Sequence, residues 1–193
     1  MKVGVLALQG DVREHLNSLG WLGVEAIPVR RVTELNEISA LILPGGESTT
    51  ISKLARTFGL FDEMKKKIQN GFPVYGSCAG MILLADRIVD GIPGQETFGG
   101  IDMTVRRNAF GRQVDSFEGE INLNDIGTFN AVFIRAPWVE QVGSSVEVLA
   151  SVADHPVAVR QENLLATAFH PELTEASKSF IDSILLPIHP LNK

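Results

Sequence analysis

The only cysteine of this 193-residue chain, Cys78, lies between two glycines in Gly76-Ser77-Cys78-Ala79-Gly80, after Phe72-Pro73-Val74-Tyr75 and before Met81-Ile82-Leu83-Leu84-Ala85. The order reads as strand, sharp turn and helix. A nucleophile on such an elbow sits at a helix N-terminus, where free N–H groups and the positive dipole end favour a thiolate and later an oxyanion. A lone cysteine is more commonly a small buried core thiol. With 18 glycines in 193 residues, two at these offsets arise by chance roughly once in a hundred, which favours the nucleophile.

Far downstream, Leu164-Leu165-Ala166-Thr167-Ala168-Phe169 reads as a strand running into His170-Pro171-Glu172. An imidazole is the general base a thiol needs, and a carboxylate two residues on can fix its tautomer and steady the imidazolium. Pro171 stiffens the link, so both side chains can project toward one site. Alone, His-Pro-Glu is a weak signal; beside a cysteine elbow it is stronger.

A third segment supplies backbone donors. Glu37-Ile38-Ser39-Ala40-Leu41-Ile42-Leu43 ends at Pro44-Gly45-Gly46-Glu47-Ser48-Thr49-Thr50, again a strand, a glycine turn and a helix start. Adjacent glycines let backbone approach a ligand and aim N–H groups at it. The plainer reading is a tight turn with Ser48 or Thr49 as N-cap. Neither Gly-Lys-Ser/Thr nor Gly-x-Gly-x-x-Gly follows, so a phosphate loop does not fit.

The elements that must position these groups alternate in the first half. Strands are expected at Lys2–Leu8, Glu25–Val29 and Ile38–Leu43, and helices at Val12–Leu19, Thr50–Phe58 and Phe61–Asn70. Asp11 and Glu14 have the spacing of a capping box on the first helix. Such alternation implies a mainly parallel sheet covered on both faces, with ligands at the carboxyl ends of its strands, where all three motifs lie. The second half is richer in strands: Ile101–Val105, Phe117–Leu123, Ala131–Ile134, Glu147–Val152, Pro156–Gln161 and Leu164–Phe169. Their alternation suggests antiparallel additions. A closing helix over Glu175–Leu186, with Thr174 as N-cap, is expected before Pro187. The fold expected is therefore α/β, a flavodoxin-like parallel sheet flanked by helices in a single domain, 1–193.

Composition sets the class. A 45% hydrophobic content fills the core of one domain of this length. One cysteine excludes an internal disulfide framework and fits a reducing, cytoplasmic compartment. No signal peptide or long apolar span is legible, so no membrane partner is expected. Acidic residues outnumber basic ones 23 to 17, giving a net charge of −6 that argues against nucleic acid. The four histidines and the cysteine show no metal spacing, and neither metal nor cofactor is expected. His15 reads as a solvated or packed histidine outside the chemistry, Lys65-Lys66-Lys67 as a solvated helix face, and Arg106 to Arg112 as a loop whose arginines either clamp a carboxylate or lie exposed.

Pro44-Gly45-Gly46-Glu47, the cysteine elbow and His170-Pro171-Glu172, in that order, resemble the triad-type class I glutamine amidotransferases. Leu8-Gln9-Gly10, Arg107 to Glu118, Phe133-Ile134-Arg135-Ala136-Pro137 and Phe169 to Glu175 narrow the resemblance to the glutaminase subunits of pyridoxal 5′-phosphate synthase, over nearly the whole chain. The resemblance implies a Cys78–His170–Glu172 triad, an oxyanion site of Gly46 and Ala79 N–H groups, and L-glutamine contacts from Gly46, Glu47, Ser48, Arg107, Ile134 and Arg135, with Arg106 competing for the role of Arg107. It also implies a separate synthase subunit that receives the ammonia. Three other readings compete. Another class I glutaminase would lack the Arg107–Glu118 segment. A cysteine α/β-hydrolase would place its acid before its histidine. A flavodoxin-like module with a structural or redox thiol would not be an enzyme.

Overall fold

A computed structural model describes residues 1–109, 116–124 and 127–174. In chain order the elements are β1 (Lys2–Leu6), α1 (Val12–Trp21), β2 (Glu25–Val29), α2 (Val32–Leu35), β3 (Ala40–Leu43), α3 (Ser48–Thr57), α4 (Phe61–Gln69), β4 (Val74–Ser77), α5 (Ala79–Leu84), β5 (Ala85–Val89), β6 (Ile101–Arg106), β7 (Ser116–Leu123), β8 (Gly127–Ile134), β9 (Trp138–Val142), β10 (Glu147–Val152), β11 (His155–Gln161) and β12 (Leu164–Thr167), then a 3₁₀ turn over Pro171–Leu173.

Seven strands form one sheet in the order β10-β11-β12-β4-β3-β1-β2. The five from β12 to β2 are parallel, and β11 and β10 extend the sheet by antiparallel pairing. This is the α/β architecture expected. The unbroken apolar run of β3, Ala-Leu-Ile-Leu, is wholly buried, as a parallel strand covered on both faces must be. The two faces separate at β4. A Cβ on Gly76 would lie 2.5 Å from the Gly80 carbonyl carbon of α5, whereas Tyr75 and Ser77 point the other way, toward His15 of α1. α3 and α4 are amphipathic, burying Ser48, Ile51, Ser52 and Ala55, and Phe61, Met64 and Ile68.

The remaining strands make a three-stranded sheet, β5-β6-β9, and an antiparallel ribbon, β7-β8. The ribbon is fastened beside the end of β12: Phe133 stacks on Phe117 at 4.6 Å and meets Phe169 edge-on at 5.7 Å, and the His170 N–H donates to the Val132 carbonyl at 2.9 Å.

Several local expectations differ from the structure. Asp11 is the N-cap residue of α1, but its side chain makes no capping bond; its carboxylate is turned toward His170 instead, 3.4 Å from Nδ1. Glu47, not Ser48 or Thr49, stands at the N-cap position of α3, without a capping bond from its side chain, because the helix begins as soon as the glycine turn ends. α5 stops at Leu84, where Ala85 turns extended and opens β5. The strands expected to reach Leu8 and Phe169 end at Leu6 and Thr167, releasing the chain into the loops that carry the site. α2, β5 and β9 had no clear periodic signal. The helix expected over Glu175–Leu186 lies outside the described residues. Among the described residues, no helix is long and apolar enough to cross a membrane.

Candidate active site

β12, β4 and β3 are neighbours in the sheet, with Thr167 paired to Ser77 and Gly76 to Leu43. Their carboxyl ends therefore deliver His170, Cys78 and the Pro44-Gly45-Gly46 turn to one place. Sequence order kept these segments up to 126 positions apart, from Pro44 to His170; strand pairing brings them together.

Cys78 stands between β4 and α5 with φ 50° and ψ −100°, a backbone state that strains a residue with a side chain. The flanking glycines make it attainable. A Cβ at Gly80 would sit 2.3 Å from the Leu43 carbonyl oxygen. With no Cβ at Gly76 or Gly80, α5 lies directly on β4 and β3. The Cys78 N–H donates to the Thr167 carbonyl at 2.8 Å, and Ala79 is the first residue of α5, so its N–H belongs to the unpaired helix start. The buried thiol is directed at the Ile134 carbonyl, with Sγ 3.9 Å away.

The 3₁₀ turn folds Glu172 back under His170, so that Nδ1 and Oε1 are 2.7 Å apart with both residues buried. This occupies Nδ1 and leaves Nε2 for the thiol. Burial pulls the His170 imidazole down, but hydrogen bonding and charge from Cys78 and Glu172 outweigh it and hold it up at about 10. Burial likewise pushes Glu172 up, yet His15 and His170 together keep it below its ordinary 4.5. Asp11, partly buried, is pushed up from its ordinary 3.8 by desolvation, against the pull of His170. The donor atoms of Asp11, His170 and Glu172 lie within 4.8 Å of one another, a spacing a metal could use; here His170 Nδ1 and Glu172 Oε1 bond each other.

The glycine turn packs against this pair. A Cβ on Gly45 would be 2.3 Å from His170 Cε1, so only glycine lets the turn approach the imidazole. The Gly45 carbonyl accepts from the Asp11 N–H at 3.0 Å, and Gln9 Oε1 accepts from the Glu47 N–H at 2.7 Å. Beyond the turn lies a polar cluster: Arg107 bonds Glu47 Oε1 at 2.8 Å and Gln95 Oε1 at 3.0 Å, while the Gln95 amide donates to Ser48 Oγ at 3.0 Å. Arg106 turns away, to Asp90 at 2.5 Å and to Glu140. Of the two arginines weighed from sequence, Arg107 is the one beside Glu47 and Ser48. Ile134 ends β8 at the thiol, and the exposed Arg135 follows with φ 43°.

The expected site residues thus gather around Cys78 and the glycine turn. Residues 110–115 of the segment Arg107–Glu118 lie outside the described residues. Sequence reading passed over His15, Asp11 and Gln95. His15 is packed, as one of its two readings had it, but its Nε2 lies 3.5 Å from Glu172 Oε1. Asp11 had the signature of a helix cap, and no local spacing marks Gln95.

A model of the SNO glutamine amidotransferase family matches residues 5–186. The chain belongs to this family. Its relatives include the pyridoxal 5′-phosphate synthase subunit PdxT of Acidothermus cellulolyticus, 62% identical, with 90% of this chain and 87% of that protein aligned. The protein of the same name from Nocardioides sp. is 59% identical over 94% of this chain and 95% of its own. A crystal structure of a glutamine amidotransferase superposes with a TM-score of 0.91 at 51% identity, covering 96% of this chain and 98% of that one.

Proposed function

We propose that this chain is the glutaminase subunit of a pyridoxal 5′-phosphate synthase, hydrolysing L-glutamine and passing the ammonia to a separate synthase subunit. The observation that carries the reading is the convergence of Cys78, His170 and Glu172 at the ends of β4 and β12, in a family member whose relatives are named as subunits of that synthase.

In this reading the Cys78 thiolate attacks the side-chain carboxamide carbon of glutamine. The tetrahedral oxyanion is met by the Ala79 N–H, at the start of α5, and by Gly46 in the glycine turn. Removing one such donor in an acyl-transfer enzyme costs on the order of 3 kcal/mol. His170, protonated at neutral pH since its imidazole is held at about 10, gives its proton to the departing nitrogen as the C–N bond breaks, leaving a γ-glutamyl thioester and ammonia. The imidazole then takes a proton from water, which attacks the thioester; the C–S bond breaks, releasing glutamate and regenerating the thiolate. Glu172 orients His170 throughout. Glu47 and Arg107 present opposite charges at the mouth, suited to the ammonium and carboxylate of glutamine, with Ser48, Ile134 and Arg135 alongside. The sole cysteine must stay reduced, which agrees with a cytoplasmic setting.

The test is ammonia release from glutamine with and without a pyridoxal 5′-phosphate synthase subunit. Cys78→Ala should fold normally and release none, and mass spectrometry after exposure to a glutamine-derived electrophile should find one adduct, on Cys78. Substantial turnover by the alanine variant overturns the reading.

A further inference from the structure

His15 takes no part in the steps above, yet it is fully buried on α1 and its Nε2 lies 3.1 Å from Ser77 Oγ and 3.5 Å from Glu172 Oε1. A buried polar group needs partners, so it matters where they lead. Beside Ser77, on the same face of β4, the Tyr75 phenol oxygen is 2.8 Å from Thr167 Oγ1, and Thr167 Oγ1 donates to the Phe169 carbonyl at 3.0 Å.

The direction of this chain is fixed from its far end. A carbonyl only accepts, so the Thr167 hydrogen goes to Phe169. Each hydroxyl has one hydrogen, so Tyr75 donates to Thr167. His15 carries its hydrogen on Nε2, where the Ser77 hydroxyl oxygen can accept it and the Glu172 carboxylate lies 3.5 Å away. The other ring nitrogen, Nδ1, is buried with no hydrogen-bond partner among the described residues; as a bare lone pair it costs less than an orphaned N–H would.

We propose that His15 is a positioning residue for glutamine hydrolysis: a neutral Nε2–H imidazole, buried on α1 and bonded to Ser77, whose N–H dipole holds the Glu172 carboxylate ionised and aimed at His170. The inference rests on the triad reading given above. At 3.5 Å the carboxylate contact is a charge–dipole attraction, the hydrogen bond itself going to Ser77. Its weight comes from what surrounds Glu172. Oε2 is buried with no hydrogen-bond partner among the described residues, so Oε1 takes both imidazoles. Asp11 on the loop before α1, the Cys78 sulfur and the Tyr75 phenol also face this region, and Asp11 opposes the ionisation of Glu172. His15 itself is faced by Glu172, His170, Asp11 and Glu14. Burial keeps His15 below its ordinary 6.5, while His170 is held at about 10. The carboxylate thus meets one cation and one dipole.

The experiment compares the native chain with His15→Leu and His15→Gln, each assembled with the synthase subunit, by the pH profile of glutamine hydrolysis, and reads the native His15 ring by ¹⁵N NMR. His15→Leu should lower kcat about tenfold at neutral pH with the glutamine KM within about twofold, and move the acidic limb upward by about one unit, as a carboxylate losing a neighbouring donor does. His15→Gln, which keeps an N–H near the Nε2 position, should recover most of both. The NMR of the native chain should show the His15 ring in its Nε2–H form. A folded His15→Leu with the native profile overturns the proposal, as does an equal loss at every pH that the glutamine variant fails to relieve. Should His15→Leu not fold, an Nδ1–H tautomer in the native ring overturns it. Ammonia release by Cys78→Ala would instead remove the triad reading on which it rests.

Discussion

Nδ1 of His170 and Oε1 of Glu172 face each other at 2.7 Å where little water reaches either, so each fixes the charge of the other. Glu172→Gln keeps the shape and removes the charge. The imidazole should then titrate well below the present value of about 10, and kcat should fall about a hundredfold or more with a much smaller change in KM. Steady-state kinetics and an NMR titration of His170 read the two effects. The pair also bears on stability. The raised His170 contributes stability that is full below its ordinary 6.5 and lost as pH rises through about 10. The lowered Glu172 contributes stability that is present above its ordinary 4.5 and lost as pH falls through its depressed value. Melting temperature against pH should therefore be flatter at both ends in Glu172→Gln; native-like slopes would mean the pair is not coupled as drawn.

At the scale of elements, α5 is a short helix whose first turn is pressed, at Gly80, against two strands. Gly80→Ala would put a Cβ 2.3 Å from the Leu43 carbonyl oxygen, forcing α5 off β3 and tilting the elbow. The expected cost is about 1–3 kcal/mol, a fall in Tm of several degrees at this chain length, with glutaminase activity falling further than stability because Cys78 leads that helix. Gly20, inside α1, is the contrast: a Cβ there meets nothing within 4 Å. Gly20→Ala should gain about 0.5–1 kcal/mol from helix propensity alone with turnover unchanged. Thermal melts of the two variants decide the matter; a stable, active Gly80→Ala would show that the approach of α5 to β3 has slack.

For the whole molecule, the question is how hydrolysis is kept from running without a recipient. Ammonia released to water at neutral pH becomes ammonium, which is no nucleophile, so turnover should be coupled to docking on the synthase subunit. The Gly45–Gly46 peptide is the element suited to the coupling. Its carbonyl is held by the Asp11 N–H at 3.0 Å, which turns the Gly46 N–H the opposite way across the planar unit. Reversing that one peptide exchanges which side its donor serves, and glycine makes the reversal cheap. Weak hydrolysis by the chain alone and clear stimulation by the partner are expected. Gly46→Val should suppress the stimulated rate without preventing co-elution, since its Cβ would meet Gln9 Oε1 at 2.6 Å and its branching stiffens the backbone. Full activity without the partner would contradict this coupling.

Much of the site was legible because its parts are local. A nucleophile elbow needs glycine two residues before and after the cysteine, a proline-stiffened His-x-Glu sets its own spacing, and a Gly-Gly turn announces close approach; each is written within a few positions of itself. The parallel sheet was legible for the same kind of reason, since buried strands are unbroken apolar runs separated by amphipathic helices. What sequence left open depended on contacts between distant positions. Asp11 looked like a helix cap until the fold turned it to His170. Arg106 and Arg107 were indistinguishable until β6 sent one to Glu140 and the other to Glu47. His15 had no neighbour in sequence to give it a role. Its place beside Glu172, 157 positions away, follows only from α1 crossing the face of β4 that carries Tyr75 and Ser77. Spacing along the chain determined which groups could react, and strand order decided which of them share a proton, because hydrogen bonds and charge act over a few ångströms of space however far apart the residues stand in the sequence.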